Sequence, residues 1–424
     1  MGSTTPTITL HSRTYHPPVQ PTVVICIDGF DPTYLSPSTT PNLFSFTDPA
    51  NGFHATAHCA MPSLTNPNNL SIITGAPTAA HGVSGNYYLD KATGKEVMMV
   101  DDRSMWGSTI LAELANQLGV RVAAITAKNK LRRIIQHGLT PPEKTGAICF
   151  SAQFANEATF ASNGIEDVEA WLGQPSPPQY SGELSLFVLD AGLKLLQEDR
   201  ADLFYLTLSD YIQHKHAPEE PEAKWFMGEI DRRVGEFVGM GALVVVTGDH
   251  GMSAKADGVR GEPNVLFLED ALCERWPEAN ARVICPIADP FVKHHGALGG
   301  FVRVHLLGKG QPDAGVVKEM LEFVSGFPEV EVAYTGAEAA RRFEMPVERE
   351  GDLVVISKEY SVLGGRRNEH DLEGLKGHKL RSHGGLSEQE IPLLRSKPLS
   401  AEALEKSKGR HWRNFDAFDL ALNH

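Results

Sequence analysis

A chain of 424 residues with 42% hydrophobic content is long enough to bury a large core and to divide into more than one lobe. Its formal net charge of −14 argues against a generic nucleic-acid or anionic-membrane surface, because a phosphate backbone needs a basic face to displace its counterions. A small anionic ligand remains compatible with that charge, provided local cations override the global field.

The N-terminal stretch MGSTTPTITLHSRTYHPPVQ lacks the apolar core of a signal peptide, and no apolar run approaches a membrane span, so the expected location is cytoplasmic. TVVICID (22–28) is short, β-branched and continuously apolar, which predicts a buried parallel strand ending in Asp28. MPSLTNPNNLSIITG (61–75) then runs from a proline-containing turn into an apolar helical stretch. That places Thr65 at a helix N-terminus, where unsatisfied N–H groups and the macrodipole favour an anion. Taken alone, such a threonine is an N-cap. HGVSGN (81–86) follows, then a helix pattern over 104–119 and a strand over 120–127 that leads into Lys128 and Lys130. If that segment stays extended, residues i and i+2 face the same way and both ammonium groups could grip one carboxylate; the plainer alternative is a solvated basic run, KNKLRR.

Residues 134–180, rich in Pro, Gly and Ser, are a candidate contribution to a cap. A helix pattern over 182–199 precedes a strand over 202–210 that ends in Asp210, and a further strand over 242–250 ends in Asp249 and His250. From Lys255 to about Lys376 the texture changes to turn signals, proline joints and two charged/apolar alternations, FVRVHLLG and EVEVAYTG. The expected organisation is therefore an α/β core over 20–255 and 377–424, with a mostly parallel sheet flanked by helices, and a smaller inserted α+β cap over 256–376. Cys26, Cys59, Cys149, Cys273 and Cys285 are widely spaced without a CxxC pair, so they read as reduced core residues.

Three predicted strands end in a carboxylate, and ligands of open α/β sheets collect outside the carboxyl ends of strands, so Asp28, Asp210 and Asp249 should converge on one crevice. A single aspartate after a strand is commonly a helix N-cap; three, two of them with a histidine attached, point to metal instead. Asp210 and His214 in D-x-x-x-H spacing lie on one face of a helical turn, as two-ligand motifs require. Mixed Asp/His donors without cysteine suit zinc, with manganese or iron as alternatives, and the set is too large for one tetrahedral centre. A late ligand is expected from RSHGG, where glycines let the backbone approach a crowded site, making His383 a better candidate than His378 in the charged KGHK. The pair His294 and His295 is the competing choice.

The ordered set Asp28, Thr65, HGVSGN, Asp210, His214, Asp249, His250 and His383 resembles the alkaline phosphatase superfamily, in its branch near the nucleotide pyrophosphatase/phosphodiesterases. The resemblance implies an alkaline-phosphatase-like core with two zinc ions per subunit, one on Asp210, His214 and His383, the other on Asp28, Asp249, His250 and the nucleophile Thr65. Sulfatases are disfavoured, since Cys59-Ala-Met-Pro-Ser63 lacks their C-x-P-x-R signature, and phosphoglycerate mutases of this fold use a serine. Within the superfamily TNPNNLSI, HGVSGN and the run Ala127 to Lys130 are most similar to phosphonoacetate hydrolases.

That likeness implies that Lys128 and Lys130 hold the substrate carboxylate and that Asn86, with Thr65, Asp210, His214 and His383, surrounds the phosphonyl group. The implied reaction is hydrolysis of the carbon–phosphorus bond of phosphonoacetate to acetate and inorganic phosphate through a phosphothreonine. A phosphodiesterase or nucleotide pyrophosphatase on the same metal core, and a catalytically silent metal-binding protein, are the alternatives. The expected partner is a small phosphonate, not nucleic acid or membrane, and a homodimer is left open.

Overall fold

The computed structural model describes residues 6–140, 142–256, 262–289, 296–308, 310, 313–373 and 380–424. Its central element is a seven-stranded sheet in the order Phe53–His58, Glu390–Arg395, Leu243–Gly248, Thr22–Ile27, Leu203–Thr207, Val122–Thr126, Ile148–Ser151. The last five run parallel, while Glu390–Arg395 lies antiparallel to both of its neighbours, so the sheet is mixed and mostly parallel. The three central parallel strands are buried at every position, which explains their unbroken apolar sequences: helices cover both faces and leave no polar side.

One face packs under Glu183–Gln197 and Pro221–Gly239, the other under Thr65–Thr74, Ile110–Leu118 and Ala417–Leu422. The helix expected over 104–119 is shorter because Thr109 caps it, its hydroxyl accepting from the Ala112 N–H. Ile148–Ser151 is the edge strand of this sheet, so that part of the stretch offered above as cap belongs to the core layer. All five cysteines are free thiols.

A second sheet, four-stranded and antiparallel, has the order Ala281–Ile284, Phe301–Leu306, Leu353–Ser357, Val330–Thr335. Helices Leu268–Arg275 and Ala314–Ser325 pack on it around a separate apolar cluster. The alternation in FVRVHLLG does not expose one face: Phe301 to His305 are all buried, with Arg303 neutralised by Glu350 at 2.8 Å. Chain segments enter and leave this region beside each other, Ser253–Ala254 pairing with Arg381–Ser382. Residues 257–261 and 374–379, near the expected cap boundaries, lie outside the described residues. Among the described residues no helix is long and apolar enough to cross a membrane.

Candidate active site

The carboxyl ends of the three central strands meet as parallel topology requires. Asp28 and Asp249 follow their strands directly, Asp210 stands three residues beyond Leu203–Thr207, and all three are buried. None acts as an ordinary helix cap. Asp210 stands at the N-cap position of Tyr211–Lys215, yet its side chain makes no capping hydrogen bond. Asp249 accepts from the backbone N–H groups of Gly29 at 3.1 Å and His250 at 3.0 Å, which holds the turn between two neighbouring strands.

Two groups of metal-ligating atoms result, each with its atoms within 4.8 Å of one another: Asp210, His214 and His383, and Asp28, Asp249 and His250. His214 Nε2 lies 2.8 Å from Asp210, so the D-x-x-x-H spacing works on one helical turn. The His250 and His383 rings stack with centroids 3.5 Å apart, which makes the two groups adjacent. In all three histidines Nδ1 faces a backbone carbonyl at 2.8 Å, that of Arg381 for His214, Gly251 for His250 and Ser63 for His383. A carbonyl only accepts, so each Nδ1 carries a proton and each Nε2 points inward as a donor atom, the arrangement that orients histidine ligands.

The electrostatics ask for cations. Burial, then Asp28, pushes the Asp249 carboxyl well above the usual carboxylate range. Burial alone would lower His250, but Asp249 and Asp28 raise it to about 10. Burial and the neighbouring His250 and His214 hold His383 well below the ordinary imidazole value. Buried carboxylates beside oriented imidazoles fit two divalent cations.

Thr65 is the first residue of the Thr65–Thr74 helix, and Leu64 occupies the N-cap position. The capping alternative therefore fails, and the Thr65 hydroxyl turns instead to His250 Nε2 at 3.1 Å and Asp28 at 3.5 Å. The helix is buried from Asn66 to Thr74 and stops at Gly75 with φ of +67°, where a Cβ would sit 2.0 Å from the Tyr15 hydroxyl. Asn69, one turn on, was not singled out from the sequence. Its amide donates to the Thr65 carbonyl at 2.9 Å and to Asp249 at 3.2 Å, and its oxygen accepts from Tyr205 at 2.7 Å. Its spacing of four from Thr65 was the only local signal.

Thr65, Asp28 and the group Asp210, His214 and His383 line a cavity of about 450 Å³ whose wall also includes Asn86, Lys128, Lys130 and Asp289. Asn86 accepts from Asn66 at 2.5 Å. Lys128 and Lys130 do not lie on an extended segment: Lys128 is extended, but Asn129 begins a helix that contains Lys130. They reach the same cavity from different backbone geometries, Lys128 Nζ 3.4 Å from Asp210 and Lys130 Nζ 2.7 Å from Asp289. Burial opposes the charge of Lys128, but Asp210, Asp28 and Asp289 outweigh it and raise its pKa. For Lys130 burial outweighs Asp289 and the pKa falls. Asp289 was not foreseen, since nothing local marks it. His294, His295 and His378 lie outside the described residues.

The model of the family described as type I phosphodiesterase / nucleotide pyrophosphatase matches residues 22–385. A solved structure of phosphonoacetate hydrolase from Sinorhizobium meliloti 1021, in complex with phosphonoformate, superposes with a TM-score of 0.90 at 42% identity, covering 99% of each chain. The same protein in complex with phosphonoacetate gives 0.89 at 41%. A phosphonoacetate hydrolase of Penicillium oxalicum is 66% identical over 32 residues, 8% of this chain and 44% of that sequence. An uncharacterized pyrophosphatase/phosphodiesterase of Schizosaccharomyces pombe is 25% identical over 64% of this chain, of which the match spans 53% of the relative. The chain thus spans about half the length of the first curated relatives it matches, 53% and 47%. With the family model extending from the first core strand to the RSHGG loop, and an alkaline-phosphatase-like fold around the cavity, this chain belongs to the type I phosphodiesterase / nucleotide pyrophosphatase family.

Proposed function

We propose that the protein hydrolyses the carbon–phosphorus bond of phosphonoacetate, with Thr65 as nucleophile. The observation that carries the reading is one cavity lined by Thr65, two lysines, Asp210, His214, His383 and Asp28, the last grouped with Asp249 and His250. The 42% identity to the Sinorhizobium enzyme over 99% of both chains supports it.

Asp28, Asp249 and His250 would hold one divalent cation and Asp210, His214 and His383 a second, zinc or alternatively manganese or iron. Such cations, when bound, supply Lewis acidity that makes a threonine hydroxyl acidic and offsets phosphonyl charge. Thr65 Oγ1 gives up its proton to solvent and forms the new oxygen–phosphorus bond as the carbon–phosphorus bond breaks, and the electron pair leaves on the acetate carbon. Lys128 and Lys130 stabilise the resulting enediolate through charge-assisted hydrogen bonds, the largest help a poor carbon leaving group can receive. The carbanion takes a proton from water to become acetate. Attack by a second water on the phosphothreonine releases inorganic phosphate and restores the hydroxyl. Asn86, braced by Asn66, donates an amide hydrogen toward a phosphonyl oxygen.

The test compares phosphate release from phosphonoacetate with nitrophenol release from bis(4-nitrophenyl) phosphate. Lys128→Ala and Lys130→Ala should each lower kcat/KM for phosphonoacetate by about 10- to 100-fold, the worth of a charge-assisted hydrogen bond, and spare the diester. Unchanged phosphonoacetate turnover in both variants would refute the carboxylate role. The diesterase reading has in its favour the family match over residues 22–385 and Phe154 on the cavity wall as an aromatic surface for a larger leaving group. It predicts the opposite preference between the two substrates.

A further inference from the structure

Residues 286–289 touch both ends of the cavity. The Pro286 carbonyl accepts from the Asn86 N–H at 2.8 Å, and the Ile287 carbonyl lies 3.5 Å from the Asn86 amide nitrogen. Two residues later Asp289 accepts from Lys130 Nζ at 2.7 Å. Contact with the HGVSGN loop is close: a Cβ on Gly85 would come within 2.6 Å of the Pro286 Cβ, which accounts for glycine there. One short backbone therefore braces the residue placed at the phosphonyl end and the residue placed at the carboxylate end.

We propose that segment 286–289 fixes the separation of these two contacts, and so selects ligands by the spacer between their two anionic groups, with Asp289 as the positioning residue for Lys130. This rests on the substrate reading above. An ammonium has three donors on a stem of four rotatable bonds. A fixed anion at 2.7 Å takes one donor, removes most of the stem's rotational freedom and leaves the other two aimed at a ligand in the cavity. The Asp289 and Lys130 side chains are 9% and 12% exposed, so solvent does little to loosen the pair.

Removing Asp289 also deletes a negative charge near the ligand carboxylate, which by itself tightens binding of any anion. A ratio of affinities for two ligands of equal charge and different spacer cancels that contribution and keeps the positional one.

The experiment titrates the zinc-loaded full chain calorimetrically with phosphonoacetate and with 3-phosphonopropionate, one methylene longer, with Thr65→Ala present throughout so that phosphonoacetate binds without turnover and with wild type meaning Asp289 intact in that background. The wild type should favour phosphonoacetate by about tenfold or more, the usual worth of one methylene in a fitted site. Asp289→Ala should bring the ratio close to one, and Asp289→Ser, whose shorter side chain falls short of Lys130 Nζ, should do likewise. A ratio kept in both variants overturns the positioning role while leaving the substrate reading intact. A wild type that binds both phosphonates equally overturns the spacing role. A wild type that binds neither overturns both the substrate reading and this one.

Discussion

At the scale of single residues, Thr65 is the group with the least structural employment and the most chemical opportunity. Its hydroxyl caps nothing, and among the described residues it hydrogen-bonds to His250 and Asp28. Thr65→Ala should therefore lose phosphonoacetate turnover by about a thousandfold or more, as removal of a nucleophile does, with an unfolding midpoint near that of the wild type and the metal content largely kept. Steady-state kinetics beside metal analysis checks this, and a variant that retains turnover contradicts the nucleophile role. His81 in HGVSGN is the contrasting case. It is fully buried, accepts from the Val83 N–H and donates to Ser71, and burial, with smaller contributions from His11 and Arg349, pushes its pKa down to about 3.

The sign of its pH effect follows from where the proton goes. Between about pH 6.5 and 3 the unfolded chain takes up a proton at His81 that the folded chain refuses, so stability is lost as pH falls through that window. The limiting slope from this one group is about 1.4 kcal/mol per pH unit. Urea unfolding of wild type and His81→Gln at pH 7 and pH 5 should show the smaller pH dependence in the variant.

At the scale of elements, the helix from Thr65 to Thr74 is tied at its first turn by a polar residue, Asn69. Asn69 ties the first turn to Asp249, just past the end of one strand, and to Tyr205 within another. Asn69→Ala leaves the Tyr205 hydroxyl and one Asp249 oxygen short of a partner in a buried site. We expect a loss of about 1–3 kcal/mol in denaturant unfolding, the cost of unsatisfied buried polar groups, together with lower kcat. Asn69→Ala matching wild type in both would mean the helix is placed by packing alone.

At the scale of the whole molecule, the fold gathers three buried carboxylates at one edge of a chain that is already acidic. Divalent binding should relieve that repulsion, so chelation should lower the thermal midpoint and added zinc restore it, with about 2.7 kcal/mol recovered at a hundredfold excess over Kd. Distant segments are joined behind the site by Lys255 and Glu388, both buried and 2.8 Å apart. The Glu388 carboxylate also accepts from the Gly385 N–H, two residues beyond His383, and its carbonyl accepts from Gly251, next to His250. Glu388→Gln leaves the Lys255 charge uncompensated and should cost about 3–5 kcal/mol, whereas a double change to Lys255→Met and Glu388→Leu should cost less. Equilibrium unfolding of the three proteins distinguishes these outcomes.

Much of the fold was legible locally. Buried parallel strands are continuously apolar because both faces are covered, and the acids that follow them fall where parallel topology opens a crevice. Asp210 and His214 were readable as a pair because a helical turn, a local object, brings them together. What the chain in isolation left undecided depends on contacts across long separations. Thr65 meets His250 185 residues away, Lys130 meets Asp289 159 residues away and His383 is oriented by Ser63 320 residues away. Periodicity and capping preferences encode only neighbours within a few residues, so the sequence alone determined the strand ends and their chemistry. The tertiary packing decided which way each side chain turns, that Thr65 is not a cap, and that two lysines on different backbone geometries share one cavity.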